Sequence, residues 1–142
     1  MKNETLYPFY DFPTELPLKI ALAGITHPDA AYEIRRPKSK VTVLEYVLSG
    51  KGFLFLEGKR EEVKAGQIYL LRRGVPHHYG ADAKEPYEKI FLNVSGSFCD
   101  ELLDLYALKA GIFEDPGVKE AFLQIPRLIA SGRPPEKIQS SL

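Results

Sequence analysis

Several residue patterns in this chain could do chemistry. Cys99 is the single cysteine, which excludes a disulfide within the chain and any cysteine-based zinc cluster. It falls near the start of an expected helix, where the macrodipole lowers a thiol pKa. The sequence sets no histidine beside it, so it reads as a buried structural thiol. Ser49-Gly50 lacks the G-x-S-x-G spacing of a nucleophile elbow. Gly50-Lys51-Gly52 is neither a P-loop nor a dinucleotide fingerprint and reads as a hairpin turn. His77 and His78 are neighbours in an expected strand and so point to opposite faces. No catalytic residue and no cofactor are expected.

The 142 residues suit one domain with room for a core. Nineteen basic and nineteen acidic residues cancel, which removes the electrostatic footprint of a part that grips nucleic acid by itself. No apolar run approaches the ~20 residues of a membrane span. Without a secretory signal, the N-x-S/T matches at Asn3 and Asn93 are chance, and a soluble cytoplasmic domain is expected.

Three stretches must position whatever the chain binds. Residues 1–17 set Tyr7, Phe9, Tyr10 and Phe12 among Pro8, Pro13 and Pro17, a density of proline that forbids a helix. They are expected as an extended arm laid over the domain. Residues 18–95 read as short strands separated by turns, including Val41–Leu48, which is apolar almost throughout, as in a strand buried on both faces. Evenly spaced strands of this kind indicate a sandwich or barrel. Residues 96–142 change period. Ser97-Phe98-Cys99-Asp100 matches a capping box, Phe98, Leu102 and Leu105 follow at helical spacing, and Gly111 is the expected C-cap. Asp115-Pro116 opens a second helix that Pro126 should kink or split, and Gly132-Arg133-Pro134-Pro135 reads as a linker. An end so soon after a linker suggests that a further segment belongs to the protein.

Leu44–Tyr79 resembles the cupin barrels. The run from Gly66 through Gly74 to His77 keeps the spacing of the second cupin motif, with Arg72 where proline is usual. The resemblance implies a mainly β, cupin-like (double-stranded β-helix) barrel of about eight strands, followed by two or more C-terminal helices. The catalytic cupins' metal ligands are missing: Pro37, Lys38 and Ser39 surround the expected histidines, and Val43 stands for the glutamate. His77 alone cannot hold a divalent ion against water, so no metal is expected.

Within that frame, Tyr32–Pro37, Leu44–Gly52 and Gly74–Gly80 resemble the N-terminal effector-binding domain of AraC-type transcriptional regulators. The resemblance implies a small-molecule effector, a polar neutral one such as a sugar or sugar derivative, held by Arg36, His77, Tyr79 and Glu88. Arg36 would bond hydroxyls with its rigid fork of donors. Glu88 and Ile90 align with a histidine and a tryptophan that line the family's sugar pocket, so a stacking platform is lost here. Pro8 and Phe9 fall where the family's arm closes over its ligand. DNA would be met only through a helix-turn-helix domain absent from these residues. The competing reading is a sugar isomerase or epimerase using His77 and Tyr79 as acid and base.

A homodimer is also expected. Phe98, Leu102 and Leu105 form a stripe that packs on the barrel, and Leu103, Tyr106 and Leu108 lie partly outside it. By the resemblance, Leu102, Leu103 and Tyr106 would belong to an antiparallel helical interface.

Overall fold

A computed structural model of the chain describes residues 4–8 and 19–130. Its strands are β1 (Glu4–Pro8), β2 (Lys19–Thr26), β3 (Glu33–Arg36), β4 (Thr42–Ser49), β5 (Lys51–Leu56), β6 (Lys59–Lys64), β7 (Ile68–Leu71), β8 (His77–Ala81), β9 (Glu88–Ser95) and β10 (Gly111–Phe113). Helix α1 (Ser97–Leu105) follows β9, and α2 (Pro116–Ala130) follows β10. The strands form a six-stranded sheet, ordered β1-β2-β9-β4-β7-β10, and a four-stranded sheet, ordered β3-β8-β5-β6. Every paired strand runs antiparallel to its neighbour. Eight strands lie within Lys19–Ser95, and β1 and β10 extend the larger sheet at its two edges.

The two sheets face each other across a shared interior. Val43, Val47, Tyr69 and Leu71 from the larger sheet meet Ile34, Leu54, Val63 and Tyr79 from the smaller. The outer face of the larger sheet is covered too, since Tyr46, Ile68 and Ile90 pack with Phe122 of α2. β4 is therefore buried on both sides, which explains its nearly unbroken apolar sequence. On the smaller sheet the outward-facing side chains of β3 and β6 are largely exposed. Its edge strand β6 reads KREEVK, and such charge discourages pairing with another chain.

The helical region departs from expectation in three ways. Gly96, at φ 114, takes the N-cap position of α1, and no side chain caps the helix. The turn out of β9 needs a backbone that glycine tolerates, so Ser97 becomes the first helical residue and the capping box does not form. The helix ends before Gly111: Ala107 sits at φ 54, its N–H bonds Asp104 O at 3.0 Å, and Leu108 N–H bonds Leu103 O at 2.8 Å. That is a Schellman ending built on alanine. Gly111 instead opens β10, whose three residues pair with β7.

The stripe of α1 that packs on the barrel differs from expectation, while Tyr106 and Leu108 are exposed as expected. Cys99 and Leu103, one turn apart, are buried against Leu70 and Val94, whereas Phe98 and Leu105 are exposed. Leu103 thus belongs to its own chain's core. Asp115 caps α2 as its sequence suggests, with Oδ1 accepting from Gly117 N at 2.8 Å. The helix continues as one element through Pro126. Among the described residues no helix is long and apolar enough to cross a membrane.

Candidate ligand-binding site

Alternation along three strands places the site. On β8, His77 and Tyr79 point inward while His78 turns outward, stacked on Phe55 with ring centroids 4.5 Å apart. On β4, Val43, Glu45 and Val47 point inward. On β9, Lys89 and Phe91 point inward, and Ile90 belongs to the cluster beneath α2.

A small internal cavity of about 40 Å³ is lined by polar groups from five strands and the loop before β3. Arg36, Tyr32, Tyr79, Glu45, Asn93 and Glu4 contribute the polar lining, and Leu22, Ile34 and Phe91 contribute apolar walls. Arg36 Nη1 donates to the Tyr79 hydroxyl at 3.0 Å, across adjacent strands of the smaller sheet. Glu4 is carried by β1 and accepts from Thr26 Oγ1 at 3.0 Å.

Behind this cavity lies a buried charged pair. Lys89 Nζ bonds Glu45 Oε1 and also donates to Tyr32 Oη at 3.2 Å. Glu45 Oε2 accepts from the Tyr69 hydroxyl at 3.0 Å, and Tyr69 meets Tyr87 at 3.3 Å. The rings of Tyr32, Tyr87, Phe91 and Tyr79 surround the ammonium. Burial lowers the Lys89 pKa and raises that of Glu45, while their mutual attraction opposes both shifts. Burial also raises all four interior tyrosines, so their hydroxyls stay protonated.

Of the residues expected to bind ligand, Arg36 and Tyr79 meet at this cavity. His77 stands opposite Arg36 in the strand register, fully buried, but outside the cavity lining. Its Nε2–H donates to the Arg72 carbonyl at 2.7 Å, and its Nδ1 has no partner. Burial, aided by the Arg36 charge, lowers its pKa. Glu88 and Ile90 lie outside this cavity's lining. Glu88 is half-exposed beside His27, 3.3 Å away, and Ile90 packs under α2 with Ile20 and Tyr46. The inward places belong to Lys89 and Phe91, one residue along; a slip of one in a strand exchanges its two faces. Pro8 pairs with Leu22 in β1, and Phe9 lies outside the described residues.

Sequence reasoning missed Glu45, Lys89, Tyr32, Asn93 and Glu4. One signal was legible: Glu45 is the lone carboxylate within VTVLEYVL, a strand otherwise apolar enough to be buried. Cys99 is inert here, its pKa raised first by burial and then by Asp100. Among the described residues, no three His, Cys, Asp or Glu side chains converge as a metal site. Two larger grooves open on the surface, one by Lys38, Lys40 and Arg73 and one by Phe55, Val75 and His78. Neither gathers inward-facing polar groups as the internal cavity does.

Two antiparallel sheets closed over a polar interior define a cupin barrel. YhaK from Escherichia coli shares this fold, with a TM-score of 0.51 and 18% identity over 66% of this chain and 44% of that one. A cupin protein from Bacteroides fragilis aligns at TM-score 0.49 and 18% identity, over 66% of this chain and 77% of that one. Within the cupin class, the chain belongs to the AraC-like ligand binding domain family, which it matches over residues 20–141. The Msm operon regulatory protein of Streptococcus mutans is 33% identical over 61 residues, 43% of this chain. That match spans 22% of the regulator's length.

Proposed function

We propose that the chain is the effector-sensing and dimerisation domain of a transcription regulator, and that it binds a sugar or sugar derivative inside the barrel. The observation that carries this reading is the convergence of Arg36, Tyr79, Tyr32, Asn93 and Glu4 on one internal cavity. Directional polar groups set between apolar walls are what recognition of a polyhydroxylated molecule requires. The regulator's role is supported by family membership and by the name of the streptococcal relative. DNA would be contacted by a separate part of the protein, in the cytoplasm.

At about 40 Å³ the cavity admits only a fragment of a ligand, since small-molecule pockets occupy ~300 Å³ or more. Binding therefore requires a wall to move. β1 is the wall best suited, being an edge strand paired to β2 that brings Glu4 to the lining. The dimerisation role rests on α1 and the turn that ends it, where Phe98, Leu105, Tyr106 and Leu108 are large exposed apolar groups.

An isomerase or epimerase using His77 and Tyr79 has less support. His77 spends its Nε2–H on a backbone carbonyl and does not line the cavity. Tyr79 is held protonated by burial, which disfavours it as a base.

A thermal-shift panel of mono- and disaccharides tests the proposal. A ligand at 100 times its Kd stabilises by about 2.7 kcal/mol. The midpoint shift should appear with the wild type and fall away in both Arg36→Ala and Tyr79→Phe. A shift that both variants retain would move the site elsewhere.

A further inference from the structure

The cavity holds a surplus of hydrogen-bond donors. The Tyr79 oxygen accepts from Arg36, and the Tyr32 oxygen accepts from Lys89. Each phenol then has its own proton left to give. Glu45 is already engaged, with one oxygen on Lys89 and the other on Tyr69. Among the described residues neither phenolic proton finds an acceptor, although both rings are almost wholly buried. Arg36 adds further N–H groups beyond the one spent on Tyr79. On the accepting side the lining offers Glu4, already tied to Thr26, and the Asn93 carbonyl.

A neutral sugar hydroxyl offers two acceptor lone pairs but brings a proton that itself needs an acceptor, so it offsets this surplus only in part. A carboxylate brings about four acceptor sites and no proton. It also matches a guanidinium fork with two parallel bonds. Glu45 and Lys89 cancel each other, which leaves Arg36 as the cation and Glu4, bonded to Thr26, as the carboxylate in the lining. The space of about 40 Å³ has room for a carboxylate, and the rest of the molecule needs the movement at β1 described above.

We propose that the effector is a polyhydroxy acid whose carboxylate is received by Arg36 and by the Tyr32 and Tyr79 hydroxyls. A hydroxyl next to the carboxylate donates to Glu4 or to the Asn93 carbonyl. The proposal rests on the reading of this cavity as the effector site and names the ligand class that the site selects.

Calorimetric titration of the full chain with matched pairs tests it: D-galacturonate against D-galactose, and D-glucuronate against D-glucose. In at least one pair the acid should bind about tenfold or more tightly than its sugar. Arg36→Met, and separately the double variant Tyr32→Phe/Tyr79→Phe, should shrink that ratio while melting as cooperatively as wild type. A sugar that equals or exceeds its acid, yet weakens in Tyr79→Phe, overturns the carboxylate and leaves the effector site standing. An acid preference that survives Arg36→Met also overturns it, since the acid is then held elsewhere. Absence of binding by all four probes counts against both the acid and the sugar-sensing reading.

Discussion

Lys89 bonds Glu45 between neighbouring strands β9 and β4, with 0% and 1% of their side chains exposed. Glu45 ties this pair to Tyr69 and Lys89 ties it to Tyr32, so a charged network runs from the barrel's centre to the lining of its cavity. Buried charges persist only when each has a partner, and here the partners are also what orients the Tyr32 hydroxyl.

Breaking that pair should cost far more than removing it. Lys89→Met leaves Glu45 buried without its cation, at a loss of about 3–5 kcal/mol in urea denaturation. Lys89→Met combined with Glu45→Gln should recover most of this, because the amide oxygen still accepts from Tyr69. A double variant no more stable than the single would show that the pair is not an isolated electrostatic unit.

His77 should make the fold sensitive to mild acid. Burial lowers its folded pKa below the ordinary value of 6.5. A depressed value means that stability is fully present above pH 6.5 and is lost as pH falls through the folded pKa, because the unfolded chain then binds a proton that the native state refuses. Unfolding free energy measured from pH 7 to 5 should decline in wild type. His77→Gln, which keeps a donor for the Arg72 carbonyl, should flatten the slope in that interval. An unchanged slope would place the sensitivity on other groups.

Sedimentation of the wild type should give a dimer at micromolar concentration, twice the 16.0 kDa chain. Leu105→Glu together with Tyr106→Glu should give a folded monomer, since both side chains are at least 70% exposed. Leu103→Glu should instead unfold the chain, because it places a charge against Leu70 and Val94. A wild-type monomer would remove the helical interface from the account.

The barrel was legible in the sequence because turn signals separate its strands and because β4 is apolar enough to mark a doubly buried position. Which face each β9 residue takes was not. Lys89–Val94 reads KIFLNV, mixed on both faces because both are covered, so alternation gives no register there. The Glu45–Lys89 pair was hidden for a different reason: its members lie 44 residues apart, and only the β4–β9 pairing joins them. On α1, two apolar rows overlap, Phe98-Leu102-Leu105 and Cys99-Leu103. Their spacing is compatible with either facing the barrel, and the contact with Leu70 and Val94 decides it. β10 has three residues, too short for a periodic signal.

The central claim is that effector binds inside the barrel. Hydrogen–deuterium exchange, with and without a stabilising ligand from the saccharide panel, tests it most directly, because β1 and β3 line the internal cavity and neither surface groove. Binding in the cavity should slow exchange in β3 and β8, residues 33–36 and 77–81, and in β1, residues 4–8. Protection confined to residues 55–58 and 71–76, along the groove of Phe55 and Val75, with none in β3 or β1, would contradict the account.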